Sequence, residues 1–222
     1  ARRSARSTRS LHELPRARHA AGAFPGAPMH PHRGFMECPY MREPPRGALT
    51  VRAGGETHAS RPEAARFELG KVGVGMEHEM LVDPAWSGHM HGFQLWVNLP
   101  AARKFDAPHF HQCAPSALPT ARLGRGGASR ALVLHGAVGG VASPTRCEPV
   151  AWMYLDVTCA AAGGVELAPP PEMTTRLCYV YAGAGEFGGA RVGAQARGRR
   201  AARGRGRVRL PLRRGRADRR AR

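Results

Sequence analysis

Phe93, Leu95, Val97 and Leu99 alternate with Gln94, Trp96 and Asn98 along FQLWVNL, and Pro100 closes the run. Successive side chains of a strand point to opposite faces, so this period of two predicts a strand over 93–99 with one apolar face. Three later segments read similarly. RALVLHGAVGGVAS (130–143), VAWMYLDVTC (150–159) and RLCYVYAGAGEFGG (176–189) are short, rich in Val, Leu and Tyr, and separated by clusters such as AAAGG and APPPE. Short strands punctuated by Gly and Pro predict a sandwich or barrel rather than βαβ units. No capped amphipathic helix of three turns stands out, although PEAARFELGK (62–71) fits two helical turns. Residues 36–75 alternate poorly and mix prolines with charges, which predicts no convincing central strand there. No internal repeat is visible.

The 222 residues suffice for one large domain or two small ones with a real core. A net charge of +18 suggests a nucleic-acid partner until its distribution is considered. Residues 1–20 hold six Arg and one Glu, and residues 191–222 hold fourteen Arg and one Asp. The remaining body is therefore neutral, with fourteen basic and fourteen acidic groups. Both ends are otherwise mostly small or polar, so they are expected to be disordered basic tails. Such a tail can contact phosphate backbones without sequence preference, although compositional drift with no partner is the simpler reading.

Five cysteines without a CxxC pair argue against a closed disulfide set and for a reducing compartment, cytoplasmic or nuclear. No apolar run approaches the ~18 residues of a membrane span. The start lacks the apolar core of a secretory signal, while ARRSARSTRS has the Arg- and Ser-rich character of an organellar transit peptide.

Eight of the eleven histidines lie between His30 and His111. In a strand, His-x-His aims both rings to one side, and this spacing occurs at His30/His32, His89/His91 and His109/His111. In GMEHEM (75–80), His78 sits between Glu77 and Glu79. Two histidines from one strand and a His plus a carboxylate from another make a mixed N/O site that suits non-haem Fe(II), with Mn, Ni, Cu and Zn as competitors. A lone His-x-His also arises as a surface pair. GAGEFG (183–188) matches the dinucleotide fingerprint, but no helix or later acid supports it, and a hairpin turn is the simpler reading. There is no GxSxG elbow and no HExxH pair, and none of the five cysteines is favoured as a nucleophile.

HPHRGF (30–35), preceded by AGAFPGAP, together with HGFQLWVNLP (91–100), resembles the N-terminal domain of the pirins, members of the cupin superfamily. LVLHGAVGGVAS, PVAWMYLDVT and TTRLCYVYAGAGEF resemble the start of their C-terminal domain. The resemblance covers residues 21–35 and 73–190. It implies an all-β, bicupin-like fold of antiparallel β-barrels. The expected divisions are an N-terminal cupin-like domain over 21–115, a partial C-terminal one over 116–190, and basic tails at 1–20 and 191–222. It implies one Fe(II) held by His30, His32, His78 and Glu79. It further implies quercetin 2,3-dioxygenase activity on a flavonol or, alternatively, an iron-dependent redox-sensing cofactor of transcription factors. A monomer is expected, and a degenerate product that binds no metal is a third possibility.

The chain departs from the family pattern in several places. Met36 intrudes before Glu37, and the residue expected between the ligands of the second pair is missing, which makes His78 and Glu79 adjacent. Neighbouring strand residues face opposite ways, so both can point inward only across a bulge; read without a gap, Glu77 and Glu79 share a face and His78 points away. Residues 1–20, about 36–70 and 191–222 switch to Arg, Ala, Gly and Pro, as if translated from another frame. Arg33, beside the ligands, can orient a ligand or substrate oxygen, with a structural salt bridge as the plainer role. His89, His91, His109 and His111 are expected on the surface or in loops, with His91 as a reserve ligand.

Overall fold

The computed structural model describes residues 8–64, 66–146, 150–160, 164–170, 172–173, 175–187, 190–193, 200–203 and 208–211. The chain divides into two units, residues 1–118 with 145–150, and residues 119–144 with 151–222.

Among the described residues the first unit contains nine strands, β1 (Thr8–His19), β2 (Gly26–His32), β3 (Phe35–Glu43), β4 (Gly47–Ala53), β5 (Glu56–Ser60), β6 (Phe67–Lys71), β7 (Met76–Val82), β8 (Gly88–Asn98) and β9 (His109–Cys113). They form two antiparallel sheets, one ordered β1-β8-β3-β6-β9 and the other β2-β7-β4-β5. The alternation read at 93–99 is real, and its apolar side is shared by the whole first sheet. Phe93, Leu95 and Val97 lie beside Tyr40, Cys38 and Met36 of β3, and all six are buried. The opposite face of the same strands carries Glu37, Gln94 and Trp96. The strand's polar half therefore matters for chemistry and its apolar half for packing.

Two expectations are corrected here. Residues 8–19, read as a disordered basic tail, form a twelve-residue strand paired to β8 from Thr8↔Val97 to His19↔Gly88. Composition alone misses this because β8 would otherwise present an unpaired edge of backbone N–H and C=O groups, which β1 satisfies. Leu11 is buried in the process, and Arg16 Nε donates to Glu43 Oε1 at 2.7 Å.

The segment 36–75 is the second correction, because it supplies β3, β4, β5 and β6, and β3 is central, between β8 and β6. Its ladder to β6 runs through Met36↔Lys71 and Glu37↔Gly70 and resumes at Tyr40↔Phe67. The opening falls at Pro39, where no N–H is available to donate. Within PEAARFELGK, a single 3-10 turn at Pro62–Ala64 precedes β6. Phe67 and Leu69 are fully buried there, so a period of two wins over the two helical turns.

The second unit begins with β10 (Thr120–Leu123), β11 (Ser129–His135), β12 (Ala137–Val138), β13 (Val141–Ala142) and β14 (Tyr154–Thr158). It continues with β15 (Gly164–Leu167), β16 (Thr175–Cys178), β17 (Ala184–Phe187), β18 (Ala190–Gly193), β19 (Arg200–Arg203) and β20 (Val208–Pro211). One sheet is ordered β10-β11-β14, and four two-stranded pairs accompany it. Its core gathers Ala121, Leu123, Ala131, Val133 and Val165. Ala184–Phe187 of GAGEFG form β17, paired antiparallel with β18 instead of opening a helix as a dinucleotide loop would, and the expected turn at 188–189 lies outside the described residues. Of the expected tail at 191–222, the backbone is strand at 191–193, 200–203 and 208–211, and the other residues lie outside those described.

If residues 36–43 are an integral core strand, truncating fully buried Met36 to Ala should cost about 2–5 kcal/mol. Urea unfolding measures this, and a cost below about 0.5 kcal/mol would show that β3 lies outside the cooperative core.

Candidate metal centre

Local sequence sets the first two ligand candidates. Pro31 disfavours helical backbone at His30 and keeps the dipeptide extended, so His30 and His32 project to one side of β2. Because β2 is an edge strand, the missing N–H of Pro31 is tolerated. The register then pairs His30 with His78 and His32 with Met76 across β7, after an irregularity in β2 between Ala27 and His30. Gly34 adopts φ 77°, a left-handed turn that carries the chain from the second sheet into the first. Lys104 Nζ donates to Gly34 O at 2.6 Å and to Asn98 Oδ1 at 2.8 Å, fixing that crossing. Three residues beyond the glycine, Glu37 lies beside Trp96 and Gly70 on the face opposite to Met36.

These elements converge on one point. His78 Nε2 lies 3.1 Å from His30 Nε2 and 3.1 Å from His32 Nε2. Glu37 Oε2 lies 3.3 Å from His32 Nε2 and 3.4 Å from His78 Nε2, yet it has no hydrogen-bond partner among the described residues. The carboxyl's other oxygen accepts from Gln94 Nε2. His30 Nδ1–H donates to Pro28 O at 2.7 Å, which leaves its Nε2 with a lone pair facing the cluster. Phe35 and Trp96 wall the His32 ring, with centroids at 5.4 and 5.5 Å.

Electrostatics favour the donor forms of His32 and His78. Burial, followed by the neighbouring His30, lowers His32 to about 4, and burial with His32 and His30 lowers His78 to about 3. Both imidazoles are therefore neutral at pH 7. Burial, with Glu68 adding repulsion, pushes Glu37 up to about 8 despite the Gln94 hydrogen bond. Glu68 on β6, which accepts from Gln112 Nε2 of β9, is itself raised to about 7 by burial. The Glu37–imidazole contacts are thus not ion pairs. Ring nitrogens presenting lone pairs to one another, beside an unpartnered buried carboxyl oxygen, have no good arrangement by themselves. A cation between them resolves this, and imidazole nitrogens bound cis at the usual ~2.1 Å stand about 3.0 Å apart, close to the spacing here.

No family model matches the chain. It is 32% identical to a pirin-like protein of Caulobacter vibrioides over 160 residues, covering 71% of this chain and 55% of that protein. Over that stretch the chain is similar to pirin-like proteins. It spans about half the length of the relatives it matches. Among solved structures, a quercetin 2,3-dioxygenase of Acinetobacter baumannii superimposes with a TM-score of 0.67 at 20% identity, covering 94% of this chain and 68% of the other. The bacterial pirin YhhW of Escherichia coli, in complex with nickel(II), gives a TM-score of 0.55 at 14% identity, with coverage of 93% and 77%. The fold is all-β and bicupin-like, as the pirin resemblance implies.

Among the four ligands that the pirin pattern implies, the structure brings His30, His32 and His78 together and leaves Glu79 out. Met76, His78 and Met80 share one face of β7, while Glu77, Glu79 and Leu81 share the other, where Glu79 lies beside Thr50 of β4. The ungapped reading had turned His78 away; the offset is absorbed by the irregularity in β2, and β7 itself continues without a bulge. Glu37, passed over because Met36 displaces it, supplies the buried carboxyl from the opposite sheet. The available signal was an acid within the apolar run FMECPYM, directly after a glycine crossing. His91 is buried instead of surface-exposed, between Glu13 Oε1 at 3.3 Å and Arg42 Nη1 at 3.3 Å, and is not part of the cluster. His89, His109 and His111 are exposed.

The metal-free protein should show two opposed pH effects. His32 and His78 have folded values below the unfolded 6.5, so their contribution is complete above pH 6.5 and is lost as the pH falls towards 4. Glu37 has a folded value above the unfolded 4.5, so its contribution is complete below pH 4.5 and is lost as the pH rises through 8. Glu37→Gln should therefore gain on the wild type between pH 5 and 8.5 in urea midpoints; a constant gap would mean that Glu37 ionises freely.

Proposed function

We propose that the protein is a metal-dependent pirin whose His30, His32, His78 and Glu37 hold one Fe(II), and that it is a quercetin 2,3-dioxygenase type enzyme acting on a flavonol with O2. The observation that carries this reading is His78 Nε2 at 3.1 Å from the Nε2 atoms of both His30 and His32, with Oε2 of Glu37 within 3.4 Å of the His32 and His78 nitrogens. Three imidazoles and one carboxylate would suit a borderline divalent ion.

When bound, Fe(II) supplies Lewis acidity that favours loss of a proton from a coordinating hydroxyl, together with redox access to dioxygen. The chain's residues prepare that chemistry. Pro28 O holds His30 in the tautomer that presents Nε2. Gln94 holds one oxygen of Glu37 and leaves the other aimed at the ring nitrogens. Phe35 and Trp96 keep water from the flank of His32, which strengthens charge interactions there.

Protein purified without oxygen should carry about one equivalent of iron, and His30→Ala/His32→Ala less than about a tenth of one. Glu37→Gln should weaken binding of a divalent ion at least about tenfold while Glu79→Gln leaves it unchanged; the reverse pattern would reassign the carboxylate. Oxygen uptake with quercetin above that of the double-alanine protein supports the enzyme, and metal binding without uptake would remove the activity and keep the site.

A further inference from the structure

A pocket of about 630 Å³ opens at the end of the second sheet, framed by the turns at Arg33, at Gly54 and Gly55, and at Val74 and Gly75. That volume lies within the usual range for small-molecule sites. His32 lines it, so the pocket and the imidazole cluster share a wall. Four charged residues border it: Arg33, Arg52, Glu56 and Glu77. Glu77 lies directly across from Arg52 in the β4–β7 register. Glu56 approaches His58 at 3.6 Å. Arg33 has no carboxylate partner among the described residues, so the salt bridge considered for it is not there. Its guanidinium instead lies 5.2 Å from the ring centroid of Phe105, which is 69% exposed.

A guanidinium without a carboxylate partner among the described residues, set over an exposed aromatic ring and lining the same pocket as His32, is suited to a planar ligand with an acidic oxygen. The planar fork can bond that oxygen through two N–H groups, while the ring beneath offers a stacking surface. We infer that Arg33 is the anion anchor of this pocket and selects aromatic ligands that carry a carboxylate or phenolate group at the end away from the imidazole cluster. This inference names the substrate class of the site proposed above and rests on that reading for its purpose, while binding at Arg33 can be read without metal.

The test uses the full chain, first treated with chelator and then loaded with nickel(II), and follows tryptophan fluorescence during titration with 4-hydroxybenzoate and with neutral 4-hydroxybenzamide. The wild type should prefer the anion at least about tenfold, the scale of one charge-assisted bidentate contact. Arg33→Ala should reduce that preference below about twofold, Arg33→Lys should retain part of it, and Arg52→Ala should leave it unchanged. No anion preference in the wild type, or a preference that survives Arg33→Ala, overturns the inference. Metal content measured on the same samples separates the two readings. Arg33→Ala should load as much nickel as the wild type, and a chain that loads none yet discriminates through Arg33 would refute the metal site alone.

Discussion

The first unit is organised around an arrangement that is unfavourable in isolation: three imidazoles and a carboxyl group crowded on one point. Bringing His32 and His78 out of water keeps them uncharged, and burying Glu37 raises the cost of its ionisation. The surrounding residues hold these groups in place without satisfying them, since Pro28 O and the Gln94 amide occupy the far atoms and leave the near ones open. Polar atoms left without partners in a well-bonded interior call for an explanation. A divalent cation provides one that is consistent with the spacing, the neutrality and the donor types.

The two faces of the first sheet divide the work. Met36, Cys38, Tyr40, Phe67, Leu69, Phe93, Leu95 and Val97 form its buried apolar side. Glu37, Glu68, Gln94, Trp96 and Gln112 alternate with them and form its polar side, on which the cluster is built. Because every residue is committed to one face or the other, a one-residue slip in β3 would exchange Glu37 for Met36 beside the histidines. The neighbouring pairs Met36↔Val97 and Glu37↔Trp96 hold that register.

The position of the carboxylate follows from the same parity. In β7, with His78 facing inward, Glu79 must face away. Met36 sets Glu37 two residues after Phe35, which also flanks His32. The departures from the pirin pattern thus leave three imidazoles and a carboxyl group together, with the carboxyl drawn from the first sheet instead of from the strand that carries His78.

Much was legible from residues alone. The alternation of FQLWVNL, the Gly and Pro punctuation, the His-x-His at 30 and 32 and the extended backbone required before Pro31 are all local consequences of sterics and side-chain period, and each is present in the fold. The hairpin reading of GAGEFG followed from the same reasoning. What local reasoning could not reach were quantities set by distant partners. Residues 8–19 are a strand because β8 has an edge to fill, and β3 tolerates Pro39 because its ladder to β6 opens there. His91 is buried because Glu13 and Arg42 meet it. Sequence by itself determined which side chains share a face of each strand. Only the tertiary structure decided which faces meet, because register and sheet pairing depend on backbone hydrogen bonds and burial between residues far apart in the chain, and that choice placed Glu37 at the cluster and Glu79 outside it.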